Sequence, residues 1–279
     1  MPYILTKNQY ITVNGRKIAY REIGNGKSEL PLVMLTHLAA TLDQWDPKLI
    51  DLLSETQHVI LPELPGVGSS QGKVASTLPE TARETISILK AMGYQKINLL
   101  GLSMGGMIAQ EIVRLDNTLI NRLILVGTAP RGGVGVDYVT KTTFRHVSRA
   151  ILHRADPKRF IFYNPDRQGK IEAEKVFDRM NSRSKENADK PMTVSSFLRQ
   201  LRAINRWSEK PADDLRFITQ PTLIVNGDQD RMVPTENSYF MHQKITGSKL
   251  VIYPNAGHGS LFQYADEFAD ELLSFLKST

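Results

Sequence analysis

Ser103 stands in Gly101-Leu102-Ser103-Met104-Gly105, with an aliphatic run at 97–100 before it and an amphipathic stretch opening at Met104 after it. Gly-x-Ser-x-Gly alone is weak evidence, since a chain of this composition shows it by chance roughly 0.08 times. Its setting strengthens it. A tight turn from strand to helix presents a serine hydroxyl at the edge of a sheet, where it can attack a substrate carbonyl. Such a turn forces the serine into a strained conformation, and side chains at the flanking positions would collide with neighbouring backbone. Gly106 adds further room. The plainer reading of Ser103 is an ordinary helix N-cap.

A serine hydroxyl is a weak nucleophile at neutral pH, so it needs a histidine base and a carboxylate to orient that base. Both follow in the chain. Asp230 lies in Val225-Asn226-Gly227-Asp228-Gln229-Asp230, just past the apolar run 222–225, and His258 lies in Asn255-Ala256-Gly257-His258-Gly259, just past 250–253. Loops beyond the carboxyl ends of parallel strands converge on one edge of a sheet, so distant residues can meet there. The plainer alternatives are a turn-forming aspartate and a capping or surface histidine. His58, His146, His153 and His242 lack such a setting, and His37 shares it only in following a strand-like run.

The elements that must position these residues can be read from hydrophobic rhythm. Segments 10–13 and 17–22 flank Asn14-Gly15, a strong hairpin signal. Continuous apolar runs at 32–35, 59–61, 97–100, 123–126, 222–225 and 250–253 then read as buried parallel strands. Helix-like stretches at 45–53, 79–92, 104–115, 236–245 and 261–276 alternate with them. The expected fold class is therefore α/β, a mostly parallel doubly wound sheet. One interval breaks the alternation. Residues 131–212 show helical patterning without a convincing strand, opening at Gly132-Gly133-Val134-Gly135 and closing near Pro211. The predicted organisation is a core of 1–130 and 213–279 with a helical cap, 131–212, inserted between two core strands.

The 279 residues carry 35 Lys and Arg against 29 Asp and Glu, and the surplus is concentrated in the middle. Residues 131–210 hold 18 basic and 9 acidic side chains. The basic residues are spread along helices with few interleaved aromatics, so a solvated face is the expectation and a nucleic-acid partner is not. No cysteine is present, which excludes disulfides, thiolate metal sites and a cysteine nucleophile. No run approaches the roughly 18 apolar residues of a membrane span, and the first residues lack a signal-peptide core. The expectations are a cytoplasmic protein with no membrane partner, and with no metal or cofactor.

Taken together, the elbow around Ser103, the chain order Ser103, Asp230, His258 and the inserted helices resemble the α/β-hydrolase-fold serine hydrolases over nearly the full chain. That family's acid usually stands in Gly-x-x-Asp-x-x-x-Pro. Here the segment is Gly227-Asp228-Gln229-Asp230-Arg231-Met232-Val233-Pro234, so the resemblance favours Asp230 over Asp228. Glu63-Leu64-Pro65-Gly66-Val67-Gly68-Ser69-Ser70 matches a structural turn of the family, with Glu63 in place of the usual Asp. An oxyanion needs two donors, and the Met104 N–H at a helix N-terminus is one. Matching against the family's His-Gly motif makes the Ala39 N–H the second, although Leu38 stands where glycine is usual. His37 would fix this loop, and Trp45 would be packing.

The function so implied is a serine hydrolase acting on a small or medium carboxylic ester, its partner a small-molecule acyl substrate. C–C bond hydrolysis, amide hydrolysis, cofactor-free perhydrolase or haloperoxidase chemistry, and a non-catalytic ligand-binding role are alternatives on the same fold. Serine rather than aspartate at 103 argues against the family's haloalkane dehalogenases and epoxide hydrolases. Phe144, Ile151, Phe160, Phe162, Phe197, Leu198 and Trp207 are the candidates for the cap's inner face, with the Lys and Arg between them in water. An uncharged acyl group is then expected.

Overall fold

A computed structural model describes residues 1–277. The chain opens with an antiparallel hairpin of β1 (Gln9–Val13) and β2 (Arg16–Ile23), in register from Gln9↔Tyr20 to Val13↔Arg16. Asn14 and Gly15 have φ of 49° and 72°, the left-handed pair whose twist matches that of the flanking strands. The later strands are β3 (Leu32–Leu35), β4 (Val59–Pro62), β5 (Ile97–Leu102), β6 (Ile120–Val126), β7 (Thr222–Gly227) and β8 (Lys249–Tyr253). All eight form one sheet in the order β1-β2-β4-β3-β5-β6-β7-β8. β2 runs antiparallel to β4, and every pairing from β4 through β8 is parallel. The strands β3, β4, β5 and β7 are buried at every position, as strands covered on both faces must be.

Helices α1 (Pro47–Ser54), α2 (Leu78–Ala91) and α3 (Met104–Leu115) connect the strands up to β6. Between β6 and β7 come α4 (Val139–His153), α5 (Lys158–Phe162), α6 (Arg167–Asn181) and α7 (Val194–Ser208), with no strand among them. The chain closes with α8 (Glu236–Lys244), α9 (Ser260–Gln263) and α10 (Ala265–Lys277). One apolar cluster joins α2, α3 and α8 to one face of the sheet, through residues such as Leu89, Ile108 and Met241. A second joins α1 and α10 to the other face, through Leu49, Ile50, Phe268 and Leu272.

Two helices depart from the expected bounds for identifiable reasons. α1 starts at Pro47 rather than Trp45, because Asp46 accepts from the Lys48 N–H as N-cap and proline occupies the first helical position. Trp45 lies in the core against Phe262, as expected of a packing residue. The C-terminal helix is broken at Tyr264 (φ −110°, ψ 46°), whose ring stacks on Tyr253 at 4.7 Å and whose hydroxyl donates to Pro254 O at 2.8 Å.

The basic segment between β6 and β7 is fastened to the rest of the chain by its own charges. Arg179 donates to both oxygens of the fully buried Asp46 carboxylate at 2.8 and 2.6 Å. Arg183 donates to the carbonyls of Tyr3 and Thr6, Arg199 to that of Val74, and Arg206 to Ser76. Part of the positive surplus expected on a solvated face is thus structural. On the same boundary Glu63 accepts from Ser69 N and Ser70 N at 2.9 and 3.1 Å and hydrogen-bonds the Asp189 carboxyl. Burial and the Asp189 charge push Glu63 up to about 10, while Asp189 is held down, so Glu63 keeps the proton the two carboxyls share.

Candidate active site

Ser103 sits between β5 and α3 with φ 55° and ψ −117°, a conformation that costs a non-glycine residue about 1–3 kcal/mol. Its surroundings leave it no alternative. A Cβ at Gly101 would meet Gly105 O at 2.4 Å, and one at Gly105 would meet Leu35 O at 2.2 Å, so the turn, α3 and β3 approach as closely as glycine allows. The Ser103 N–H donates to Val126 O at 2.8 Å, and Thr128 Oγ1 donates to Ser103 O at 2.8 Å. The side chain makes no capping hydrogen bond to α3, which removes the N-cap reading.

His258 and Asp230 meet Ser103 across the sheet edge. His258 Nε2 lies 2.9 Å from Ser103 Oγ, and His258 Nδ1 lies 2.7 Å from Asp230 Oδ2. With Nδ1 protonated toward the carboxylate, Nε2 accepts the hydroxyl proton. The other carboxylate oxygen, Asp230 Oδ1, accepts from Met232 N at 2.9 Å and Val233 N at 3.0 Å, so the acid is locked by its own loop. Asp228 is exposed and accepts instead from Ala256 N at 3.2 Å. The structure brings Asp230, which the family resemblance favoured, to His258. All three side chains are buried, and the ring of Phe162 packs edge-on to His258 at 5.3 Å.

Beside Ser103 and His258 opens a cavity of about 250 Å³, lined by His37 and Leu38 from the core and by Thr143, Lys158, Ile161, Phe162 and Phe197 from the helices between β6 and β7. Of the expected inner-face aromatics Phe162 and Phe197 are found here. Ile151 is exposed, Phe144 and Leu198 are half exposed, and Trp207 is buried elsewhere, donating to Glu111 at 3.0 Å. Lys158, which sequence reasoning left in water, lines the cavity. His37 Nδ1 donates to Leu38 O at 2.8 Å, consistent with the expected loop-fixing role. Burial and the nearby Lys158 charge hold the His37 ring down to about 3, so it is neutral and its Nε2 is a lone-pair acceptor without a partner.

The Ala39 N–H, expected as the second oxyanion donor, is donated to Gln200 Oε1 of α7 at 2.9 Å. Ala39 has φ 62°, the left-handed conformation that glycine usually supplies, and that turn aims its N–H at α7. The neighbouring Leu38 N–H has no acceptor among the described residues, and neither has the Met104 N–H at the start of α3.

A profile of the alpha/beta hydrolase fold matches residues 31–264, spanning the sheet from before β3 to beyond His258. The chain belongs to the α/β-hydrolase fold family. It is an enzyme of the hydrolase class. Among solved structures, an alpha/beta hydrolase fold protein from Chitinophaga pinensis is 29% identical, with a TM-score of 0.92 and full coverage of both chains. A 2-hydroxy-6-oxo-6-(2'-aminophenyl)hexa-2,4-dienoic acid hydrolase of Metapseudomonas resinovorans is 25% identical over 96% of this chain and 90% of its own. A non-heme haloperoxidase of Rhodococcus erythropolis is 25% identical, with both chains covered completely.

Within this α/β-hydrolase, sequence reasoning missed Lys158, Thr143 and Gln200. All three come from the helices between β6 and β7, where no motif marks them. Nothing in the run Asp156-Pro157-Lys158 indicates that the lysine faces inward.

Proposed function

We propose that this α/β-hydrolase is a serine hydrolase that cleaves a small or medium carboxylic ester through an acyl-enzyme on Ser103. The observation that carries the reading is the unbroken relay Asp230 Oδ2, His258 Nδ1, His258 Nε2, Ser103 Oγ at 2.7 and 2.9 Å, ending at a cavity. His258 takes the Ser103 proton as Oγ attacks the carbonyl carbon, then gives it to the departing alcohol. Asp230 holds the imidazole in the tautomer that leaves Nε2 free to accept and stabilises the imidazolium. A water activated by His258 then attacks the acyl carbonyl and releases the acid.

The charge that develops on the carbonyl oxygen is met by the Met104 N–H, where the α3 dipole adds to the hydrogen bond. The second donor in this reading is the Leu38 N–H, with Ala39 tethered to Gln200 beside it. Residues 131–212 act as the cap, supplying Phe162 over His258 and most of the acyl wall. A second reading is C–C bond hydrolysis, favoured by the similarity to the Metapseudomonas resinovorans hydrolase over almost the whole chain.

The test is labelling with a fluorophosphonate followed by peptide mass analysis, with turnover measured on aryl esters and a vinylogous 1,5-diketone. A single adduct on Ser103, absent in Ser103→Ala, and a fall in ester turnover of at least about a thousandfold in that variant are expected. A folded Ser103→Ala protein that kept most of its turnover would overturn the assignment.

A further inference from the structure

Lys158 is a cation where an acyl pocket should be apolar. Its side chain is 21% exposed and lines the cavity that holds Ser103 and His258. The nearest carboxylate belongs to Asp156, whose Oδ2 lies 3.7 Å from Nζ, an ion pair beyond hydrogen-bond reach. Asp156 is committed elsewhere, since its Oδ1 accepts the Lys158 backbone N–H at 2.8 Å and so caps the start of α5, and its side chain is 46% exposed. Asp156 lines the same cavity and offsets part of the ammonium's charge, but none of the three N–H donors has an acceptor within 3.5 Å among the described residues. Burial in the pocket disfavours its charge, a cost that a hydrogen-bonded anion would remove.

A second polar group points to the same need. Thr143 on α4 lines the cavity, is 4% exposed, and its Oγ1 has no hydrogen-bond partner among the described residues. A buried hydroxyl left unpaired is costly, so a ligand that accepts from it is favoured over one that does not. Lys158 and Thr143 both offer donors, and both come from the helical wall. Two acceptors face the same space, the Asp156 carboxylate and His37 Nε2, which comes from the loop after β3 and has no partner among the described residues. The cavity is thus apolar along Ile161, Phe162 and Phe197, with Lys158, Thr143 and the half-exposed Asp156 carboxylate as the polar groups of its helical side.

We infer that Lys158 and Thr143 form a subsite for a carboxylate carried by the substrate, so that the ester cleaved at Ser103 bears an anionic group on its acyl or alcohol part. This rests on the serine-hydrolase reading above and replaces the uncharged acyl group expected from composition. Lys158 acts as a specificity determinant here. The electron movements of hydrolysis are unchanged; the lysine holds the substrate's far end and leaves the relay to His258.

Binding and turnover are to be measured separately, both near 0.15 M salt so that distant surface charge is screened. In the Ser103→Ala background, calorimetric titration compares hexanoate with hexanamide, with and without Lys158→Met. Hexanoate should bind roughly ten- to a hundredfold more tightly than hexanamide, and Lys158→Met should abolish the difference while Lys158→Arg retains most of it. In the Ser103 enzyme, phenyl hydrogen adipate is compared with phenyl hexanoate, and 4-acetoxybenzoate with its methyl ester. The anionic member of at least one pair should show the higher kcat/KM through a lower KM, and lose that advantage in Lys158→Met. Equal preference with and without Lys158, in folded proteins by circular dichroism, overturns the subsite. Cleavage of neutral esters without any Lys158-dependent preference sinks the subsite alone. A Lys158-dependent binding preference with no cleavage of any ester keeps the subsite and removes the ester-hydrolase reading.

Discussion

The strand-end loops that carry Ser103, Asp230 and His258 and the helices that wall the cavity are built to different tolerances. Ten of the twelve residues of α3 are buried, against four of fifteen in α4 and six of fifteen in α7. Around Ser103 the backbone packs so closely that a methyl group at Gly101 or Gly105 would overlap main-chain atoms. In the helical wall Ile151 and Leu152 are 74% and 80% exposed while charged Lys158 turns inward. Steric demand at the strand ends restricts residue type and so leaves a readable pattern. The wall obeys no such restriction, and hydropathy misassigned it. In the function proposed above, the first region sets whether acyl transfer can occur and the second sets which molecule undergoes it.

The sharpest way to break this contrast lies within the first region. Asp230→Asn should lower kcat for ester hydrolysis by about 10³- to 10⁴-fold, because an amide favours the wrong imidazole tautomer. Asp228→Asn, only two residues away but exposed, should change it less than about threefold. Comparable losses in the two variants would mean that the buried relay is not the catalytic one.

Gln200 tests whether the two regions are coupled. It is 2% exposed and is the acceptor for the Ala39 N–H, so it holds the loop carrying Leu38 in place from the helical side. As a positioning residue, Gln200→Leu should lower kcat roughly tenfold with little change in KM, and Gln200→Glu, which keeps an acceptor oxygen, should recover much of it. A rise in KM alone would instead make Gln200 part of the binding wall.

The smallest effect concerns how the helical segment is fastened. Glu63 is raised from its ordinary 4.5 to about 10 by burial and by Asp189, so folding retains a proton that the unfolded chain gives up. Its contribution to stability is full below the unfolded value of 4.5 and is lost as pH climbs toward about 10. Gln at this position can still accept from Ser69 N and Ser70 N and donate to Asp189 without needing the proton. Glu63→Gln should therefore raise Tm relative to wild type by several degrees at about pH 9, with the gap closing toward about pH 5. Thermal melts that stay parallel across that range would show that the pair does not share a proton.

Local chemistry made much of this legible in advance. The Asn14-Gly15 hairpin, the parallel runs from Leu32 to Tyr253 and the start of α3 at Met104 follow from short-range rules of turn geometry and burial, and each stands where those rules place it. Ser103 and His258 were separable from other serines and histidines because each follows a strand in a loop with closely spaced glycines, while Asp230 was separated from Asp228 by the resemblance to the family's Gly-x-x-Asp-x-x-x-Pro segment. What local pattern could not carry is the identity of a distant partner. Ala39 donates its N–H to a residue 161 positions away, Glu63 keeps its proton because of burial and Asp189, and Arg179 is bound to Asp46. Lys158 faces the cavity because α5 lies over His258, with Gly259 N donating to Phe162 O at 3.0 Å. Periodicity tells which face of a helix is apolar, but the field, burial and hydrogen-bond supply at a given atom are sums over groups that only the folded chain brings together.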